Sequence, residues 1–371
     1  MRRRFPRASL VAPLALVALV SSVSAQEAVR PGERLSVSEQ RLEIYDAVGT
    51  VTLRRGTGTD FTIAVTPVGP DAEQLRFFLD RGGHRGVFRV VFPADADRIA
   101  APEGVSSQHT TLRLRADGTF GGDSDSGRDG TWWRRLGRAG RGDAVEIGGR
   151  SGLRAWANLE ITVPEGRELK VHLAVGRATI DGVSGDVLID TWGADASATN
   201  IAGSWLFDTG SGDVDVRGAR GTLKIDTGSG SADVSDVSGD LLDVDTGSGS
   251  VDATNVQVER FRFDTGSGDV RAERVTARRG VADTGSGSVT LTYAAGPIDD
   301  LLIDTGSGSA RLTLPEDVDA RVSIDTGSGG INIGRTGAIF ERRDEDGMVL
   351  RFGDGRGRIR IDTGSGGVTI R

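Results

Sequence analysis

The chain is 371 residues long, lacks cysteine, and carries 45 basic against 53 acidic side chains, a formal charge of 45 − 53 = −8. That balance excludes a general attraction for nucleic acid or anionic lipid, and without cysteine no disulfide framework can hold the fold. Fifty-five glycines and 5% aromatic residues suit tight turns and stacked small side chains better than one large globular core.

Residues 1–25 read as a secretory signal peptide. Arg2, Arg3, Arg4 and Arg7 form its charged start, 10–20 is an apolar run interrupted by Pro13, and Val23-Ser24-Ala25 is a small-residue cleavage site before Gln26. The run is too short to span a bilayer, so no transmembrane segment is expected in the mature chain. Arg2-Arg3-Arg4-Phe5 also fits a twin-arginine signal loosely, which leaves the export route open. Cleavage removes four arginines and moves the charge to 41 − 53 = −12. The expected location is outside the cytoplasm: periplasm, cell surface or medium.

Residues 26–155 form an irregular β region. Alternating apolar and polar residues predict short strands at 42–45, 48–53, 61–65, 87–92 and 111–115, and no window has a helical period. The stretch 41–54, with Gly49 between two alternating runs, resembles one imperfect coil, and the region as a whole suits a cap on the repeat domain or its early part. The pattern fails over 117–150, which predicts a surface insertion rich in Gly, Asp and Arg. Within it Trp132, Trp133, Arg134 and Arg135 make a candidate contact loop, since paired tryptophans beside arginines can stack on sugars, a membrane interface or a protein.

From 156 to 371 the sequence is organised by the pentapeptide DTGSG, which begins at Asp208, Asp226, Asp245, Asp264, Asp283, Asp304, Asp325 and Asp362. Counted from a degenerate copy at Asp190, the steps are 18, 18, 19, 19, 19, 21, 21 and 37 residues. One residue before each Asp stand Phe207, Ile225, Val244, Phe263, Ala282, Ile303, Ile324 and Ile361, and six after it Val214, Ala232, Val251, Val270, Val289, Ala310, Ile331 and Val368. The next residue is polar in every copy, from Asp215 to Thr369. Period-two apolar positions on both sides of a turn mean two short strands per coil facing one core. Such coils pair most simply in parallel and in register. The predicted fold is therefore all-β: a parallel β-solenoid, or β-helix, of about nine 18–21-residue coils behind the N-terminal cap. The 21-residue steps suit a right-handed helix with elastic turns. Residues 335–371, where charge replaces the missing pentapeptide, are expected to form a C-terminal cap that blunts the open edge.

The units IDTGSGSV and LPEDVDARVSIDTGSGG and the closing RFGDGRGRIRIDTGSGGVTIR, behind a signal peptide, resemble the bacterial putative-adhesin family of exported β-strand-repeat proteins, a family of unknown function. The resemblance covers about 156–371 well and 35–65 weakly. It implies a right-handed β-helix-like fold and an envelope or surface location, and it brings no catalytic residues.

Asp-Thr-Gly-Ser also marks aspartic proteases, but those need two copies converging on one cleft, whereas in-register coils spread the aspartates along a line. Each Asp is instead expected to begin an Asx-turn, its carboxylate accepting N–H bonds from the Gly and Ser that follow. Adjacent carboxylates about 4.8 Å apart repel by roughly 0.9 kcal/mol in water. A charge-assisted hydrogen bond contributes about 1.5–3 kcal/mol, so capping offsets the repulsion and no cofactor is required. Calcium along the row is the alternative, although each coil brings only one regular carboxylate towards the six to eight oxygens calcium takes. His84, His109 and His172 are scattered and suggest neither a metal site nor a nucleophile-base pair.

The sequence thus favours a non-enzymatic exported scaffold, structural or adhesin-like, whose partner is a protein or glycan of the cell envelope. The alternatives are a pectinase- or lyase-like β-helix enzyme and a calcium-binding repeat protein. Unique acid-base clusters on one or two coils would mark the enzyme.

Overall fold

The computed structural model describes residues 25–102, 110–121, 142–344 and 347–371. The signal-peptide core and the Trp132–Trp133–Arg134–Arg135 loop lie outside them. The N-terminal part contributes β1 (Ala25–Val29), β2 (Arg34–Val37), β3 (Arg41–Arg55), β4 (Phe61–Val68), β5 (Arg76–Gly82) and β6 (Arg85–Val91). β7 (Arg98–Ile99), β8 (Thr110–Leu114) and β9 (Asp143–Ile147) form a small separate sheet.

The next strands are β10 (Trp156–Val163), β11 (Arg167–Asp181), β12 (Ser184–Thr191) and β13 (Asp195–Thr209). β3 is already a coil. It pairs in parallel with β11 from Arg41↔Glu168 to Arg54↔Asp181, and its other edge takes β6 and β10, also in parallel. Leu42, Ile44, Val51 and Leu53 point into the core, which continues without a break into the repeats. The N-terminal region is therefore stacked directly on the solenoid.

One part of the expectation for 117–150 is overturned. Asp143–Ile147 is a strand antiparallel to β8, with Val145 and Ile147 buried, and Phe120 is buried as well. Five alternating residues suffice for a strand once a partner edge exists, and no local periodicity reveals that edge.

The repeats follow as β14 (Val214–Thr227), β15 (Ala232–Thr246), β16 (Val251–Thr265), β17 (Val270–Thr276) and β18 (Arg279–Thr284). Then come β19 (Val289–Tyr293), β20 (Asp300–Thr305), β21 (Ala310–Thr313), β22 (Ala320–Thr326) and β23 (Ile331–Ile333). Consecutive coils pair in parallel, and every aspartate lies opposite the next: Asp208↔Asp226, Asp226↔Asp245, Asp245↔Asp264, Asp264↔Asp283, Asp283↔Asp304. The residues preceding these aspartates and those six beyond are buried, as period-two packing on one core requires.

The bend between the two strands of a coil has its own ladder. Gly182, Asn200, Gly218, Asp236, Asn255 and Arg274 occupy equivalent places and all have positive φ, from +54° to +76°. Gly, Asn and Asp tolerate this conformation; an arginine does not. Arg274→Gly should therefore stabilise the protein by about 0.5–1 kcal/mol, the left-handed penalty less the entropy of the glycine. Urea denaturation of the two chains checks this, and an unchanged midpoint would contradict it.

The end of the stack departs from sequence order. β24 (Ile339–Arg343) and β25 (Gly347–Phe352) form an antiparallel hairpin, and β25 lies against one edge of β22. β26 (Gly357–Thr363) and β27 (Val368–Ile370) do not close the end. β26 is inserted between β20 and β22, and β27 between β21 and β23. The expectation that 335–371 caps the domain is thus corrected: its first part lies at the edge, its last coil is interior. The cause is chemical equivalence, since IDTGSG at 303–308, 324–329 and 361–366 is the same hexapeptide and any of the three fits beside either of the others.

Candidate functional site: the carboxylate row and its buried head

In a β-strand, neighbouring side chains face opposite ways, so the Asp of each pentapeptide faces out and the Thr faces in. Thr209, Thr227, Thr246, Thr265, Thr284, Thr305, Thr326 and Thr363 are all buried. In the central coils each threonine hydroxyl makes two bonds. Thr284 Oγ1 donates to the Gly268 carbonyl of the preceding coil at 2.9 Å and accepts the Gly287 N–H of its own turn at 3.0 Å. Thr246 and Thr265 repeat the pattern.

At the first glycine of each turn the Asx-turn expectation is corrected. The N–H groups of the first glycines go to the threonine carbonyl of the neighbouring coil, as in Gly228→Thr209 at 2.9 Å and Gly285→Thr265 at 3.1 Å. A carbonyl one coil away is already aligned by in-register stacking, so these glycine amides do not depend on the Asp carboxylates. The glycines are required by proximity. A Cβ at Gly249 would lie 2.0 Å from the Gly230 carbonyl oxygen, and one at Gly287 1.9 Å from that of Gly268.

A second polar ladder, absent from the sequence reading, follows the pentapeptide. The Ser231 N–H donates to Asp213 Oδ1 at 2.8 Å, Ser250 to Ser231 Oγ at 3.3 Å, Asp269 to Ser250 Oγ at 3.2 Å, Ser288 to Asp269 Oδ1 at 2.9 Å and Ser309 to Ser288 Oγ at 3.2 Å. The signal was visible as an Asp or Ser in the sixth place of these copies. It ends at Gly330 and Gly367.

The outward aspartates form one line. It runs from Asp190 through Asp208, Asp226, Asp245, Asp264, Asp283 and Asp304 to Asp362 and Asp325, all exposed or half-buried. Partial burial and then the neighbouring carboxylates push Asp226, Asp283 and Asp304 above the usual range. A cation beside the line interrupts it: Arg262 reaches Asp245 at 3.2 Å and Asp243 at 3.6 Å and also bonds Asp264. Among the described residues, no group of three or more His, Asp or Glu side chains has the arrangement of a metal site.

At its N-terminal end the line passes into a buried polar cluster, because His172 is opposite Asp190 and Tyr45 is opposite His172. His172 Nδ1 is 2.7 Å from Asp190 Oδ2, and its Nε2 stands 3.4 Å from Glu43 Oε1. The Tyr45 hydroxyl donates to Glu43 at 2.5 Å, and Arg85 pairs with the same carboxylate. Tyr45 stacks on His172 at 4.5 Å, Phe120 packs on Tyr45 at 5.7 Å, and Trp192 packs on Phe120 at 5.5 Å. Sequence reasoning missed this cluster, since 127 residues separate Tyr45 from His172 (172 − 45) and neither carries a motif. Gly121 lies beside Trp192.

Burial alone would raise Glu43, but the nearby His172 ring, the hydrogen bond from Tyr45 and the charge of Arg85 hold it at about 2. Burial would lower His172, but Asp190 and Glu43 keep it above its ordinary value. A raised histidine contributes stability that is complete below about pH 6.5 and is lost as pH rises through its folded value. The melting-temperature difference between the wild type and His172→Gln should therefore be largest below about pH 6.5 and shrink in alkali. A difference constant from pH 5 to 10 would refute the ion-pair assignment. The Glu43 contribution has the opposite edge, being present above about pH 4.3 and lost as pH falls towards 2.

A family model described as Toastrack DUF4097 matches residues 157–371. No curated protein matches the chain. A solved structure of a putative cell adhesion protein from Clostridium sporogenes is 11% identical, covering 94% of this chain and 99% of that one, with a TM-score of 0.19. At that score the likeness carries no argument.

Proposed function

Because the chain belongs to the Toastrack DUF4097 family, we propose that it is a non-enzymatic, exported scaffold of the cell envelope that binds, adhesin-like, through the flat face bearing the carboxylate row. The observation that carries this reading is the uniformity of the outward positions, with Asp facing Asp from coil to coil. An enzyme on such a frame needs a unique acid-base pair open to substrate. Among the described residues the acid-base cluster around His172 and Glu43 is buried beneath Phe120 and Trp192. The partner is an envelope protein or glycan offering cationic groups, since a line of carboxylates attracts them and salt weakens that attraction. No helix among the described residues is long and apolar enough to cross a membrane.

The test combines cleavage with retention. The mature protein is incubated with acidic and neutral polysaccharides and with isolated envelopes, beside an Asp264→Asn/Asp283→Asn/Asp304→Asn variant. The proposal expects no new reducing ends and a salt-sensitive retention on envelopes that the variant loses. Release of reducing ends would make it the carbohydrate-active enzyme, and a melting temperature raised by millimolar calcium would assign the row to a metal.

A further inference from the structure

We propose that the last coil, residues 357–371, is exchanged between two copies of this chain, so that each fills the other's slot between the coils of Asp304 and Asp325. This goes beyond the binding role of the carboxylate face and does not depend on it. Four observations lead there.

The coil is held on both sides by strands that end, as it does, in Ile-Asp-Thr. β26 pairs with β20 from Arg358↔Asp300 to Thr363↔Thr305 and with β22 from Gly357↔Ala320 to Thr363↔Thr326. Its Ile359, Ile361, Val368 and Ile370 are fully buried. A second copy's coil would make identical contacts in the slot, so exchange changes nothing in the core.

Reaching the slot requires a crossover, because β25 lies on one edge of β22 and β26 on the other. The crossover is Gly353-Asp354-Gly355-Arg356, where Gly353 and Gly355 have φ of +60° and +75° and Asp354 and Arg356 are exposed. A hinge rich in glycine can take an extended form as readily as this bent one, and extended it spans about 13 Å, enough to enter a neighbour at the same corner.

The bent form is fastened chiefly by one residue. Asp319 Oδ1 accepts the N–H groups of Gly355 at 2.6 Å and Arg356 at 3.1 Å, its Oδ2 pairs with Arg356 at 2.9 Å, and its carbonyl accepts the Gly357 N–H at 3.0 Å. Without the carboxylate the bent hinge is left with the Arg351 bond to the Gly353 carbonyl and the long Gly355 N–H bond to the Phe352 carbonyl, and the same coil-slot contacts form within or between chains.

The slot can also close without the coil. The hexapeptides at 303–308 and 324–329 are identical, so the Asp325 coil can rest on the Asp304 coil and part from it again, and a last coil released meanwhile enters the slot of either chain as it reopens. Exchange of an identical element is a low-cost route to a dimer.

The natural chain has no cysteine, which makes the test direct. Leu302 and Arg360 are outward neighbours on β20 and β26. Facing positions on adjacent strands are within disulfide reach. A Leu302→Cys chain and an Arg360→Cys chain of different mass are unfolded, mixed, refolded at high concentration and oxidised. Only exchange brings position 302 of one chain beside position 360 of the other. The expected result is a covalent heterodimer in excess over both homodimers, severalfold more abundant when both chains also carry Asp319→Ala. Two folded chains that give no heterodimer excess, with or without Asp319→Ala, would overturn the proposal. So would a dimer on size exclusion without the 302–360 link, which would place the contact at the exposed Ile339 and Phe340 of β24 instead. Arg311→Cys with Thr369→Cys, facing positions on β21 and β27, repeats the test on the other strand should the first pair fail to fold.

Discussion

Thr284→Val is expected to destabilise the protein by about 2–4 kcal/mol, while Asp283→Asn in the same pentapeptide changes stability by less than about 0.5 kcal/mol. Valine keeps the shape of threonine and removes the hydroxyl, so the Gly287 N–H and the Gly268 carbonyl both lose a partner in a site that excludes water. Each orphaned group costs about 1–3 kcal/mol. Asp283 faces outward between Asp264 and Asp304, and partial burial and then these two neighbours raise its pKa, so asparagine removes repulsion and no bond to a turn amide. Urea unfolding followed by circular dichroism measures both. A destabilisation by Asp283→Asn equal to that of Thr284→Val would return the turn to the aspartate.

Val251→Asp should be the most damaging substitution considered, costing more than about 4 kcal/mol and leaving little folded protein at 37 °C. Val251 is fully buried and faces Ala232 and Val270 in the adjacent coils, so a carboxylate there finds neither water nor a cation. Asp252→Asn, one residue on, should be nearly silent because Asp252 faces solvent between Asp233 and Arg271 and its charge helps raise Asp233. The soluble yield and melting temperature of the two variants decide the matter. Equal damage would overturn the assignment of inside and outside.

The repeat and its register were legible because translation along one axis makes each position visible many times: an apolar residue before every Asp can only be a core position. The division of labour inside the pentapeptide was not. An isolated turn has only its own side chains to hold its amides, which favours the Asp, and the neighbouring coil's carbonyls exist only once the stack is built. The order of the last coils escaped for a related reason. Three identical hexapeptides fit one another equally well, so local sequence cannot rank the interleaved order above the sequential one; the hairpin β24–β25 and the Asp319 crossover decide it. His172 was invisible as a functional residue because its partners Glu43 and Tyr45 lie on β3, a coil separated from it by the whole of β4 to β10.

DTGSG is an inter-coil staple rather than a surface loop. Amide hydrogen exchange over 283–289 tests it most directly, since Gly285 N–H is given to the Thr265 carbonyl and Gly287 N–H to Thr284 Oγ1. These amides should exchange with the slowest strand amides of β16 and β20, and Thr284→Val should release Gly287 selectively. Exchange within seconds at Gly285 and Gly287 in the unaltered protein would contradict the account.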